Sequence, residues 1–196
     1  MKWVLVIAIS YLVGCFSSAY FIGKLARNID IRGYGSGNAG TTNAMRVMGK
    51  KLGILTFILD VLKGIIAVYL GRLILGDIGG IVGGFFAVIG HDWPLFIGFR
   101  GGKGVATSLG VLLVMSWPST IIAVIFGVVV ALLSRFVSLG SMSFLSSYAI
   151  IYVLVDDNFN RQIFILALSL AILAIIRHRS NIQRIVAGNE NKLGRW

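Results

Sequence analysis

Seven apolar runs dominate the chain: Trp3–Gly23, Leu52–Leu75, Ile78–Gly90, Gly104–Ser116, Ser119–Leu133, Phe136–Val155 and Ile163–Ile176. With 57% hydrophobic and only 13% charged residues, they cannot all be packed into a water-soluble core. The runs are continuous rather than alternating, which excludes a β-barrel. A bilayer crossing takes roughly 20 residues of helix, so the expected fold is an all-α polytopic membrane protein, a single domain over residues 1–196 with seven transmembrane helices. Trp3–Gly23 exceeds the ~7–15 residues of a secretion-signal core and lacks a small-x-small cleavage site, so it reads as the first span. Cys15, the lone cysteine, lies in this run and reads as a small hydrophobe.

Orientation follows from Lys and Arg. Fourteen of the 18 fall in the first, third and fifth connections and the C-terminal tail, from Lys24 to Arg195. Lys2, Arg72 and Arg161 fall on the other face, and Lys63 inside a run. Positive charge marks the cytoplasmic side, which predicts an N-terminus outside and a C-terminus in the cytoplasm. The net charge of +11 therefore speaks for anionic lipid or a phosphorylated substrate, not for nucleic acid, since no aromatic-basic recognition motif accompanies it.

The same side collects three glycine-and-basic stretches: GSGNAGTTNAMR (Gly35 to Arg46), GFRGGKGVAT (Gly98 to Thr107) and RHRSNIQRIVAGNE (Arg177 to Glu190). Backbone N–H groups left open by glycine, with fixed positive charge, are what proteins use to hold phosphate. In the first, Gly35, Gly37, Asn38, Thr41 and Asn43 are the candidate cradle, with Ser36 as a further donor. Thr42 or Asn43 is expected to cap a short helix carrying Arg46. Its GxGxxG spacing has no preceding strand and no βαβ unit, so a dinucleotide site is excluded. In the second, Gly101, Gly102 and Gly104 surround Lys103 and lead into an apolar helix, whose positive end is expected to face an entering anion. A Walker A loop fails on spacing, because Ile97 precedes Gly102 by five and Gly104 follows Lys103 where Ser or Thr should stand.

In the third, a helix continued past Ile176 would put His178 and Asn181 on one face, with Arg184 a turn further and Gly188 as the stop before Glu190. His91, before Asp92, Trp93 and Pro94, reads either as a ring bonded to the loop backbone or as a catalytic group. Asp60 and Lys63, three apart in the second run, read as a mutually neutralising pair or as functional groups facing the bundle. Two histidines without acids at ligand spacing give no metal site. Many runs are only about 13 to 15 residues long, so the glycine loops are expected at or below headgroup depth.

These three stretches, the second read from GHDWPLFIGFRGGKGVAT, closely resemble the signatures of the bacterial acyl-phosphate-dependent glycerol-3-phosphate acyltransferases. Length, run count and motif order agree from end to end. The resemblance implies acyl transfer from acyl phosphate to the 1-hydroxyl of sn-glycerol 3-phosphate in the inner membrane, with the site facing the cytoplasm. Lysophosphatidic acid and phosphate are the products, and neither a cofactor nor an obligate protein partner is implied. It further implies that Ser36, Arg46, Lys103, His178, Asn181 and Glu190 line the site, with Ser141 as a further phosphate contact. The VSLGS stretch around Ser141 departs from the family's VSLAS at Gly140. Acyl-CoA-dependent enzymes use His and Asp with four residues between; here Phe96 and Gln183 stand five after His91 and His178, which excludes that machinery. Glu190 would orient a basic side chain or bind glycerol hydroxyls. The proton acceptor would be His178 or a substrate phosphate. A reading from another class, a carrier or channel for organophosphate anions, would need polar residues continuing through the membrane, and only Asp60 and Lys63 lie deep.

Overall fold

The structure, a computed structural model, describes residues 1–194. Arg195, counted above among the basic tail residues, lies outside them. Every helix or strand among the described residues is helical. By its own packing the chain divides into two compact units, Met1–Val114 and a second beginning at Met115.

The first unit starts with α1 (Lys2–Gly14) and α2 (Ser18–Arg27). The expected single span is thus broken, at Cys15 to Ser17, and the break releases the Phe16 carbonyl from the helix ladder. A buried lysine, Lys63, donates to it at 2.8 Å. A 3₁₀ turn (Ile31–Gly33) and α3 (Thr41–Met48) follow, then α4 (Lys50–Asp92).

α4 is two arms, not a rod. Leu75 and Gly76 leave helical geometry, Gly76 with φ +65°. Beyond them the chain returns antiparallel: the Gly71 and Gly79 backbones face each other so closely that a Cβ on either would strike the other's carbonyl oxygen. This reversal separates Leu52–Leu75 from Ile78–Gly90, as the two apolar runs require. α1 lies along the second arm, with Gly14 against the Ala87 carbonyl and Gly90 against Tyr11 and Cys15. Without a hydrophobic drive between helices in lipid, such close backbone approach is what holds spans together. α5 (Val105–Met115) crosses the first arm at Gly64 and Gly110 in the same manner.

In the second unit, α6 (Trp117–Ser134) and α7 (Val137–Val155) form a hairpin turned by Arg135 in the left-handed region, φ +61°. Gly127 and Gly140 face each other across it, and a Cβ on Gly140 would strike the Gly127 carbonyl and approach Ala131 Cβ to 2.6 Å. The departure at Gly140 thus has a packing cause: alanine there would force α6 and α7 apart. α8 (Arg161–Arg177) is capped by the Asn160 side chain and runs into α9 (Arg179–Val186), bent by 56°.

Bulky apolar side chains such as Ile125, Phe126, Leu132, Ile150 and Ile172 face outward, a lipid-facing surface no soluble protein would carry. Against the seven crossings expected, four helical segments among the described residues are long and apolar enough to cross a membrane: Lys2–Arg27, Lys50–Ile97, Trp117–Ser134 and Val137–Val155. The bent pair Arg161–Arg177 and Arg179–Val186 makes a fifth if taken as one span, and Val105–Met115 is shorter. Lys50–Ile97 contains the reversal, which is where a count by length departs from a count of runs.

Candidate active site

The first unit brings two of the three glycine-and-basic stretches together. Buried Asn43 organises the first: its Nδ2 donates to the carbonyls of Ile31 (3.3 Å), Tyr34 (3.0 Å) and Asn38 (3.0 Å), and its Oδ1 accepts from the Ser36 N–H at 2.8 Å. The expected helix cap is not made, because the N-cap of α3 is Gly40 and no side chain bonds there. Asn43 is instead the post around which the loop is wound. Gly35 and Gly37 take φ +59° and +71°, and a Cβ on Gly35 would collide with Asn43 Oδ1. The result leaves Ser36 exposed, and it places half-buried Arg46 in the last turn of α3. Thr41 opens α3, its enclosed Oγ1 without a protein partner.

This loop leans on the second stretch. Asn38 Nδ2 donates to the Gly101 carbonyl at 3.4 Å, Gly40 faces the Gly102 Cα, and Arg32 Nη1 donates to the Ile97 carbonyl. Arg32 in turn is clamped by Asp30, whose carboxyl this guanidinium holds below its ordinary range. The second stretch is laid on the end of α4: Gly101 N–H donates to the Asp92 carbonyl (3.3 Å) and Gly102 N–H to that of His91 (3.1 Å). Lys103 follows, half-buried.

Two expectations change here. The N-terminal end of α5 carries an acid beside it: fully buried Asp92 has Oδ1 3.1 Å from where a Cβ on Gly104 would sit. The carboxylate balances part of the positive end expected to face an anion. The His91 ring turns inward, with Nδ1 2.6 Å from Lys63 Nζ and 3.6 Å from Asp60 Oδ1, while its backbone carbonyl serves the loop. Asp60 and Lys63 are a buried pair at 2.9 Å, and Ser18 Oγ donates to Asp60 at 2.8 Å. The sequence joined Asp60 to Lys63, three apart, but nothing in it joined Ser18 or His91 to them, the four spanning 73 positions.

The second unit gathers the third stretch with α7. The helix expected to continue past Ile176 bends at His178, which ends α8 and starts α9. Asn181 still stacks a turn above it, its N–H on the His178 carbonyl at 2.8 Å. His178 is buried and its Nδ1 lies 2.8 Å from the Ala174 carbonyl. A carbonyl only accepts, so Nδ1 carries the proton and, in the neutral ring, Nε2 is the basic nitrogen.

Gly188 (φ +75°) stops α9 as expected, with Gly188 N–H on Ile185 and Asn189 N–H on Arg184, the Schellman pattern. The turn delivers Glu190 into a clamp: Ser138 Oγ (2.9 Å) and Asn181 Nδ2 (2.6 Å) donate to Oε1, and Arg184 Nε (2.7 Å) to Oε2. Burial alone would raise this carboxyl, but the three donors outweigh it and hold its pKa below the ordinary value. Between the two roles expected for Glu190, the geometry serves the orienting one. Ser138, not foreseen, lies three before half-buried Ser141 on α7, in the same VSLGS stretch.

Comparison with known proteins gives the family. The family model described as glycerol-3-phosphate acyltransferase matches residues 4–188. A glycerol-3-phosphate acyltransferase of Thermoanaerobacter sp. (strain X514) is 50% identical, covering 99% of this chain and 97% of the relative. One from Halalkalibacterium halodurans is 43% identical over 100% and 97%. Two crystal structures of PlsY (YgiH), an integral membrane glycerol 3-phosphate acyltransferase, superpose with TM-scores of 0.91 and 0.90 at 34% identity, covering 99% of this chain and 96% of theirs. One is the glycerol 3-phosphate form and the other the lysophosphatidic acid form. With residues 4–188 matched by the family model and relatives 43% and 50% identical over nearly its whole length, this chain belongs to the glycerol-3-phosphate acyltransferase family.

Proposed function

We propose that the protein transfers a fatty acyl group from acyl phosphate to the 1-hydroxyl of sn-glycerol 3-phosphate, giving lysophosphatidic acid and inorganic phosphate, the first step of phospholipid synthesis. The observation that carries this reading is the abutment of two phosphate-type loops in the first unit, Asn38 against Gly101 and Gly40 against Gly102, beside the basic groups Arg46 and Lys103. Both substrates carry phosphate, which asks for donors of this kind. A solved relative's glycerol 3-phosphate and lysophosphatidic acid forms supply the matching acceptor and product.

The hydroxyl oxygen bonds to the acyl carbon, the bond from that carbon to the phosphate oxygen breaks, and the hydroxyl proton ends on the departing phosphate. Acyl phosphate is already activated, so positioning and charge stabilisation suffice and no covalent enzyme intermediate is required. We assign Arg46 and Lys103 to phosphate charge and the Ser36 and Thr41 hydroxyls to neutral donation, while Gly35, Gly37, Gly101, Gly102 and Gly104 let the backbone turn closely there, the N–H groups of Gly101 and Gly102 being already bonded to Asp92 and His91. Asn38 and Asn43 shape that cradle. On the third motif, His178, Asn181 and Ser141 serve the same reaction, with Glu190 aligning Asn181 and Arg184. His178 Nε2 or a substrate phosphate takes the proton. His91 supports the loop rather than the substrate.

From the resemblance of its motifs we place the protein in the plasma (inner) membrane; its seven apolar runs and the distribution of Lys and Arg support seven crossings, with the N-terminus outside and the motif-bearing connections at the cytoplasmic face. A carrier of organophosphates is disfavoured because its deepest charges, Asp60 and Lys63, are bonded to each other. Purified protein given acyl phosphate and glycerol 3-phosphate without coenzyme A should release phosphate and form lysophosphatidic acid. Phosphate release without glycerol 3-phosphate, or flux across liposomes without turnover, would refute the reading.

A further inference from the structure

Beneath the Lys103 loop lies a buried ionic network of Asp60, Lys63 and His91. Lys63 Nζ has three protons and three acceptors: Phe16 O at 2.8 Å, Asp60 Oδ1 at 2.9 Å and His91 Nδ1 at 2.6 Å. None remains for a substrate. An ammonium can only donate, so His91 Nδ1 accepts, the ring is neutral, and Nε2 carries its proton. That fixes which ring edge points away from Lys63. The edge so presented lies against Gly102, where a Cβ would overlap Nε2.

Backbone bonds complete the seat: Gly102 N–H to the His91 carbonyl and Gly101 N–H to that of Asp92. The lysine thus couples the α1–α2 break, both arms of α4 and the loop that carries Lys103. Charges inside a membrane protein are costly, and an apolar pair in place of Asp60 and Lys63 would join the helices as well. What it would not do is orient the imidazole.

We propose that Asp60, Lys63 and His91 are positioning residues that set the place of the Gly101–Gly104 loop, and so of the Lys103 ammonium, without touching substrate. The inference rests on the acyltransferase reading above. The test compares two variants of the full-length protein in nanodiscs. Asp60→Leu with Lys63→Met removes the charges together and leaves no orphan ion, so the fold is kept. His91→Asn keeps an oxygen acceptor near the Nδ1 position for Lys63 but removes the ring edge from Gly102.

In both variants kcat/KM should fall roughly 10- to 100-fold while the Tm without ligand stays near that of the parent. The rise in Tm produced by glycerol 3-phosphate should shrink, a readout that needs no turnover. Parental kcat/KM and a parental rise in Tm overturn the inference, as does activity that falls only in proportion to the folded fraction. An unaltered protein with no acyl transfer at all refutes the function instead, so the two failures are distinct.

Discussion

Replacing Glu190 by alanine tests the organisation of the third motif most directly. Its carboxylate holds Ser138 and Asn181 by hydrogen bonds of 2.9 and 2.6 Å in buried surroundings, and bonds of this kind to a charged acceptor contribute about 1.5–3 kcal/mol each. Arg184, with 35% of its side chain exposed, adds at most about 0.5 kcal/mol after screening. Allowing for water entering the gap, Glu190→Ala should cost about 2–4 kcal/mol, or roughly 5–15 °C in Tm. Asn181 loses its fixed orientation, and kcat/KM should drop by about 10- to 100-fold.

Acidity should mimic the substitution. The folded carboxyl lies below its ordinary 4.5, so its contribution is complete above that value and is lost as pH falls through the depressed one. Thermal unfolding of detergent-purified protein from pH 7 down to about pH 3 should therefore show parent and Glu190→Ala converging in Tm only at the acid end. Initial rates at pH 7 supply the activity. A variant with parental Tm and parental kcat/KM, or a Tm difference unchanged down to the most acid pH, would refute the clamp.

Asn43→Ala removes four hydrogen bonds around one buried amide and should collapse the first loop, with loss of glycerol 3-phosphate affinity of at least about tenfold in titrations; Asn43→Asp keeps the Ser36 bond but not the carbonyl bonds, and should fail similarly. Gly140→Ala should lower Tm by forcing α6 and α7 apart, at about 1–3 kcal/mol, while leaving KM unchanged in steady-state assays. His178→Ala separates the two candidates for proton acceptor: a loss confined to KM assigns the proton to a substrate phosphate, whereas a fall in kcat that alters the pH–rate profile assigns it to His178.

The residue types alone carried the membrane class, the helical fold and the chemical character of the motifs. Continuous apolar runs admit few other solutions, and glycines beside Arg and Lys announce anion binding whatever surrounds them. Gly188 as a helix stop and the separation of the two runs at Leu75–Gly76 were legible for the same reason: both depend on local backbone freedom. Ser138 was not, because nothing local tells which of the two serines of the VSLGS stretch meets a carboxylate 52 positions away.

Tertiary packing alone decided that Asn43 ties a loop instead of capping a helix, that α1 and α2 part at a carbonyl Lys63 can reach, and that His91 turns inward while Asp92 stands at the start of α5. Each of these is a competition between partners distant in the chain, settled by which donor and acceptor the packed helices bring within about 3 Å. A sequence shows that Lys63 must find counter-charge in an apolar run; only the fold determines that its three protons go to a broken helix, a carboxylate and the ring beneath the Lys103 loop.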